Sequence, residues 1–100
     1  MTIGSVKTPD PIAARLLTLG RRIAELRRGK AMTQDQLSQA VELTEKYVQF
    51  IELGRANPTA KVLIRIAIAL GVDAADLFAQ PADPMPSRPG RPSNKPAQAA

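Results

Sequence analysis

The chain has 100 residues, a net charge of +5 and 44% hydrophobic residues, and it contains no Cys, His or Trp. That length holds one small core, and without Cys or His there is no zinc finger, disulfide framework, thiol nucleophile or His-based general base. The pI near 10.3 favours an anionic partner, either nucleic acid or an anionic membrane surface.

Residues 1–10 read as a flexible N-terminus. The opening MTIGSVKTPDP has one Lys and no apolar stretch behind it, so it is not expected to be a secretion signal. The run Ile12–Leu19 is interrupted by Arg15 and Thr18 and reads as amphipathic helix rather than membrane span. A cytoplasmic location with no membrane partner is the expectation.

Helix 1 is predicted from Asp10 as N-cap and Pro11 at its first position. Leu16, Leu19, Ile23 and Leu26 recur at helical spacing, and Gly29 is the expected stop. Helix 2 opens on Thr33-x-x-Gln36, a capping box. Helix 3 starts at Thr44 and ends near Leu53-Gly54. Thr59 caps helix 4, which runs to Leu70 and stops at Gly71, and Asp73 caps a short helix 5 over AADLFA. No window alternates with period two, so no strand is predicted.

Six of the nine prolines fall in residues 81–100, where Met85 is the one large apolar side chain. Such a segment cannot offset its ordering entropy by burial, so it reads as a disordered, proline-rich tail. The folded unit is then residues 11–80. Residues 15–80 carry ten basic and seven acidic groups, and the tail carries Arg88, Arg91 and Lys95 against Asp83. The basicity of the folded part is modest.

The informative segment is Gln34–Leu53, QDQLSQAVELTEKYVQFIEL. It reads as two short helices joined by a turn at Val41–Leu43. Leu37, Val41, Leu43, Val48 and Ile51 fall where a helix-turn-helix must bury side chains, and Ser38 is small where the helices come closest. One face of helix 3 is left free for a major groove, which is wide enough to admit a helix.

The strings LGRRIAELRRGKAMTQDQLSQA, TEKYVQFIELGRANPT and LIRIAIALGVDAADLF occur in this order. Together they resemble the Cro/phage-repressor (XRE-like) helix-turn-helix family over residues 16–79. The resemblance implies an all-α, five-helix, lambda-repressor-like DNA-binding domain with its helix-turn-helix at 34–53. One position departs from the family: Glu42 stands at the turn, where Gly is usual and φ is often positive. Keeping the left-handed conformation there costs on the order of 1 kcal/mol.

The resemblance puts Thr44, Glu45, Lys46, Gln49 and Phe50 on the exposed face of helix 3, about residues 45–53, as candidate base contacts. Lys46 suits guanine O6/N7 and Gln49 suits adenine. Glu45 either accepts from cytosine N4 or only favours the helix dipole. Phe50 is unusual for the family. It reads as a thymine-methyl contact, as core against helix 4, or as a contact to a partner protein. Gln34, Tyr47, Arg55 and Asn57 match phosphate-contacting positions, which fix register without reading sequence. Arg27 and Glu52 match a pair that ties helix 1 to the end of helix 3, a structural role. Arg21, Arg22, Arg28 and Lys30 form either a basic flank or an ordinary solvated face.

Helix 4 is apolar nearly all round. Leu63, Ile66, Ala67 and Leu70 suffice for the core, which leaves Ile64 and Ile68, with Phe78, as candidate dimer residues. The expected function is a sequence-specific regulator binding double-stranded DNA, as a homodimer on a palindromic operator. With no second domain for ligand sensing, it fits a stand-alone switch or a restriction-modification controller. The alternative is an antitoxin-like module that uses the same domain to bind a protein. No enzyme activity, catalytic residue, metal or cofactor is expected. The glutamates form no paired-carboxylate arrangement, and there is no phosphate-cradling Gly loop.

Overall fold

The computed structural model describes residues 10–82. They form four α-helices, α1 (Pro11–Gly29), α2 (Gln34–Ala40), α3 (Glu45–Glu52) and α4 (Ala60–Leu70), followed by a 3-10 helix over Ala74–Phe78. There is no strand among the described residues, and no helix among them is long and apolar enough to cross a membrane.

Each α-helix starts where a side-chain oxygen can accept a free backbone N–H. Asp10 Oδ1 accepts from Ile12 at 2.9 Å, and Pro11 sits in the first turn, where its missing N–H is no loss. Thr33 and Gln36 complete the capping box, with N–H to side-chain distances of 3.0 and 2.8 Å. The hydroxyls of Thr44 and Thr59 accept from Tyr47 and Val62 at 3.1 and 3.2 Å.

All four α-helices end with the same crossed pair of hydrogen bonds around a left-handed residue. Two of these residues are glycines, Gly54 and Gly71 (φ +75° and +74°), and two are not, Ala31 and Glu42 (φ +57° and +61°). At the end of α2, Leu43 N–H reaches Ser38 O at 2.9 Å and Glu42 N–H reaches Gln39 O at 3.3 Å. Glu42 thus keeps the left-handed turn of the family without glycine. At the end of α1, Met32 N–H reaches Arg27 O at 3.1 Å and Ala31 N–H reaches Arg28 O at 2.9 Å. Gly29, the predicted stop, is still helical, so the termination signal is two residues later and carried by alanine.

The core is the meeting of these helices. Leu19, Ile23, Leu37, Val41, Val48, Ile51, Ile66, Ala67, Leu70 and Leu77 form one buried cluster, with Leu43, Tyr47 and Leu63 packed against it partly buried. Fully burying each large side chain is worth about 1.5–3 kcal/mol. α3 packs on both α1 and α2, and the 3-10 helix packs on α1 and α4. Ser38 is buried, with its hydroxyl donating to Asp35 O at 2.7 Å.

Two differences from the sequence reading concern the C-terminal end. Helix 5 is a 3-10 helix, held by i to i+3 bonds such as Asp76 N–H to Asp73 O at 2.9 Å. The packed unit also reaches into the segment assigned to the tail: Pro81 is buried, and Ala82 N–H donates to Glu25 Oε2 at 2.8 Å. Arg22 completes this clasp. Its Nη1 donates to Glu25 Oε1 at 2.9 Å and its Nε to Asp76 O at 2.8 Å. Residues 1–9 and 83–100, with the expected flexible N-terminus and most of the expected tail, lie outside the described residues.

Candidate nucleic-acid interface

The pose of α3 is fixed from three sides. On its inner face Val48 and Ile51 enter the core. At its end, Glu52 meets α1 and α2 together: Oε2 accepts from Arg27 Nε at 2.7 Å, while Oε1 accepts from Arg27 Nη2 at 3.1 Å and from Gln34 Nε2 at 2.9 Å. Arg27 and Glu52 are 8% and 7% exposed, and Arg27 Nη1 also donates to Met32 O at 2.8 Å. The guanidinium is thus held in a two-pronged pair whose remaining nitrogen ties down the α1–α2 link. Such a pair sets geometry more than it adds stability. Gln34, read from sequence as a phosphate contact, gives one amide hydrogen to this brace.

The third support was not read from the sequence. Gly20, in the middle of α1, lies against the backbone of α3. A Cβ there would stand 2.6 Å from Glu52 O and closer still to Ile51 O. At the end of α3, a Cβ on Gly54 would stand 2.7 Å from Leu17 Cα. The two helices therefore touch backbone to backbone, which only glycine permits. A mid-helix glycine in an amphipathic pattern was the available signal, because glycine there costs about 0.5–1 kcal/mol unless something needs the space.

Outside this support, Thr44, Glu45, Lys46 and Phe50 are exposed and Gln49 is partly exposed. They lie on α3 or at its cap. The Thr44 oxygen is already engaged as the N-cap acceptor, which leaves its hydroxyl hydrogen free for another partner. Phe50 is 39% exposed and outside the core cluster, so it does not fold back as core against α4. Lys46 Nζ sits 5.9 Å from its ring centroid, at the outer limit of a cation–π contact between two exposed side chains. Tyr47 is partly buried against the core, while Arg55 and Asn57 are exposed in the loop after α3. Ile64, Ile68 and Phe78 stand outside the core, and Ile68, at 73% exposure, is the most open large apolar side chain of the described residues.

A family model described as helix-turn-helix matches residues 23–77. An uncharacterised HTH-type transcriptional regulator of Sinorhizobium fredii, y4dJ, is 37% identical over 68 residues, which is 68% of this chain and 87% of that protein. The immunity repressor of Bacillus phage phi105 is 33% identical over 64 residues, 64% of this chain and 44% of the repressor. Among solved structures, the restriction-modification controller protein C.AhdI from Aeromonas hydrophila superposes with a TM-score of 0.64 at 32% identity. It covers 65% of this chain and 98% of that one. With this sequence match, a braced α3 and a capped turn before it, the chain belongs to the helix-turn-helix family of the Cro/phage-repressor type.

Proposed function

We propose that this chain, a DNA-binding transcription regulator of that family, reads a specific duplex sequence by laying the outward face of α3 in the major groove. The observation that carries this reading is the brace of Arg27, Gln34 and Glu52. It fixes α3 against two other helices while Glu45, Lys46 and Phe50 stay free. A helix whose pose is fixed and whose outer side chains are uncommitted is what direct base readout needs. Lys46 and Gln49 are assigned to base edges, with Glu45 and Phe50 beside them and Thr44 at the helix start. Gln34, Tyr47, Arg55 and Asn57 are assigned to backbone phosphates, which set register.

The protein acts as a homodimer on a palindromic operator. The exposed strip of Ile64 and Ile68 on α4, with Phe78, supplies the apolar surface for the second copy. The half-sites then lie about one helical turn apart, roughly 34 Å.

Selection of bound fragments from random-sequence DNA with the purified chain tests this. The expected result is one enriched palindromic sequence, bound with an affinity that falls steeply with salt. No enrichment at moderate salt would overturn the reading and favour a protein-binding role for the same domain.

A further inference from the structure

Of the four basic residues that cluster in α1 and just after it, Arg21, Arg22, Arg28 and Lys30, the structure divides the arginines by occupation. Arg22 is spent on Glu25 and Asp76. Arg21 and Arg28 instead line a groove of about 630 Å³ between α1 and α3, together with Glu25, Gln34, Gln49 and Glu52. Both carboxylates in that groove are already answered. Glu52 is paired with Arg27, and Glu25 is held by Arg22 and the Ala82 N–H. The ion pairs among the described residues are these two, and neither includes Arg21 or Arg28. Arg21 Nε is moreover buried with no acceptor among the described residues. The charge of Arg21 is therefore not answered within the described residues.

The geometry points to Arg21 and Arg28 as phosphate-contacting residues that hold a stretch of one DNA strand along α1, beside the bases read by α3. This rests on the DNA-binding reading above and extends it to a helix outside the helix-turn-helix. Two things favour a nucleic-acid backbone. The groove's uncommitted charge is wholly positive and carried by guanidinium forks, which match phosphate oxygens. The groove also contains Gln34 and Gln49, so it is continuous with the start of α2 and the face of α3. Seven residues, close to two helical turns, separate the two arginines by about 10 Å along α1. They therefore grip a run of backbone rather than one phosphate.

The test is binding of a mixed-sequence duplex, followed by fluorescence anisotropy over a salt series. The slope of log affinity against log salt is about −0.9 per phosphate contact. Arg21→Gln/Arg28→Gln is expected to make the slope shallower by nearly two and to weaken selected and mixed-sequence duplexes by the same factor. Arg21→Lys/Arg28→Lys is expected to keep most of the slope. Arg15→Gln removes the same charge from an exposed site outside the groove and is expected to leave the slope unchanged. Arg28→Gln alone, at an exposed position, is expected to lose about one unit and keeps the test decisive should Arg21 matter for folding. The assignment is overturned if the folded glutamine variants keep the parent slope, or if Arg15→Gln lowers it as much as Arg28→Gln. A parent chain without salt-dependent duplex binding would instead overturn the DNA reading itself.

Discussion

Replacing Glu52 with alanine removes the acceptor of three donors at once: Arg27 Nε, Arg27 Nη2 and Gln34 Nε2. Arg27 keeps only the Met32 carbonyl and stays charged in a site that is 8% exposed. Breaking a buried pair from one side costs about 3–5 kcal/mol. A folded unit of this size has roughly 4–11 kcal/mol in total, at 0.05–0.15 kcal/mol per residue. The substitution therefore removes about a quarter of the stability or more. At 4–8 °C per kcal/mol, the thermal midpoint should fall by about 12 °C at least. Thermal unfolding followed by far-UV circular dichroism reads this directly. Removing both charges is different: Arg27→Met/Glu52→Leu should recover most of the loss, because a buried pair replaced by packed apolar groups is often neutral or better. That double variant also separates pose from stability, since a folded but weakly binding protein would show that the pair aims α3. A Glu52→Ala variant that melts within about 3 °C of the parent, or a double variant no more stable than the single one, would show that Arg27 does not depend on Glu52 in this way.

Other outcomes follow from the same geometry. Ala31→Gly and Glu42→Gly should each stabilise by up to about 1 kcal/mol, because both residues hold a left-handed conformation that glycine adopts freely. A rise in denaturant midpoint checks this. Gly20→Ala should destabilise by about 1–3 kcal/mol or more in the same assay, since the atoms its methyl meets are backbone and cannot swing aside. Lys46→Ala or Gln49→Ala should relax the selected sequence at one base pair, by about 1–3 kcal/mol of discrimination, with the fold unchanged. Ile68→Glu should shift sedimentation equilibrium to monomer while the far-UV circular dichroism spectrum keeps its helix content.

What could be read from the sequence was what local chemistry decides. Thr33-x-x-Gln36, Thr44, Thr59, Gly54 and Gly71 announce starts and stops because their partners lie within a few residues. The Arg27–Glu52 pair, 25 residues apart, entered through family resemblance and not through spacing. Positions decided by distant contacts were misread or missed. Gly29 reads as the stop, yet the chain turns at Ala31, whose φ of +57° lets Met32 N–H close on Arg27 O. Arg22 reads as surface charge because the backbone carbonyl that it meets, that of Asp76, is 54 residues away. Pro81 belongs by composition with the prolines that follow it, yet it is buried, next to Ala82, whose N–H reaches Glu25 on α1. Phe50 had three readings, and solvent exposure on α3 removes the one that made it core.

The glycine contacts between α1 and α3 bear on how such a protein can change. Because the crossing is set by main chain at Gly20 and Gly54, the distance between the helices does not depend on the size of any side chain at that point. The outer residues of α3 are not part of the contact. They can be exchanged freely while the helix is presented at the same height and angle. The domain thus separates its frame from its reading head. Under the proposed readout, new sequence preferences are open to single substitutions at Glu45, Lys46, Gln49 or Phe50, whereas a methyl group at residue 20 would displace all of them together.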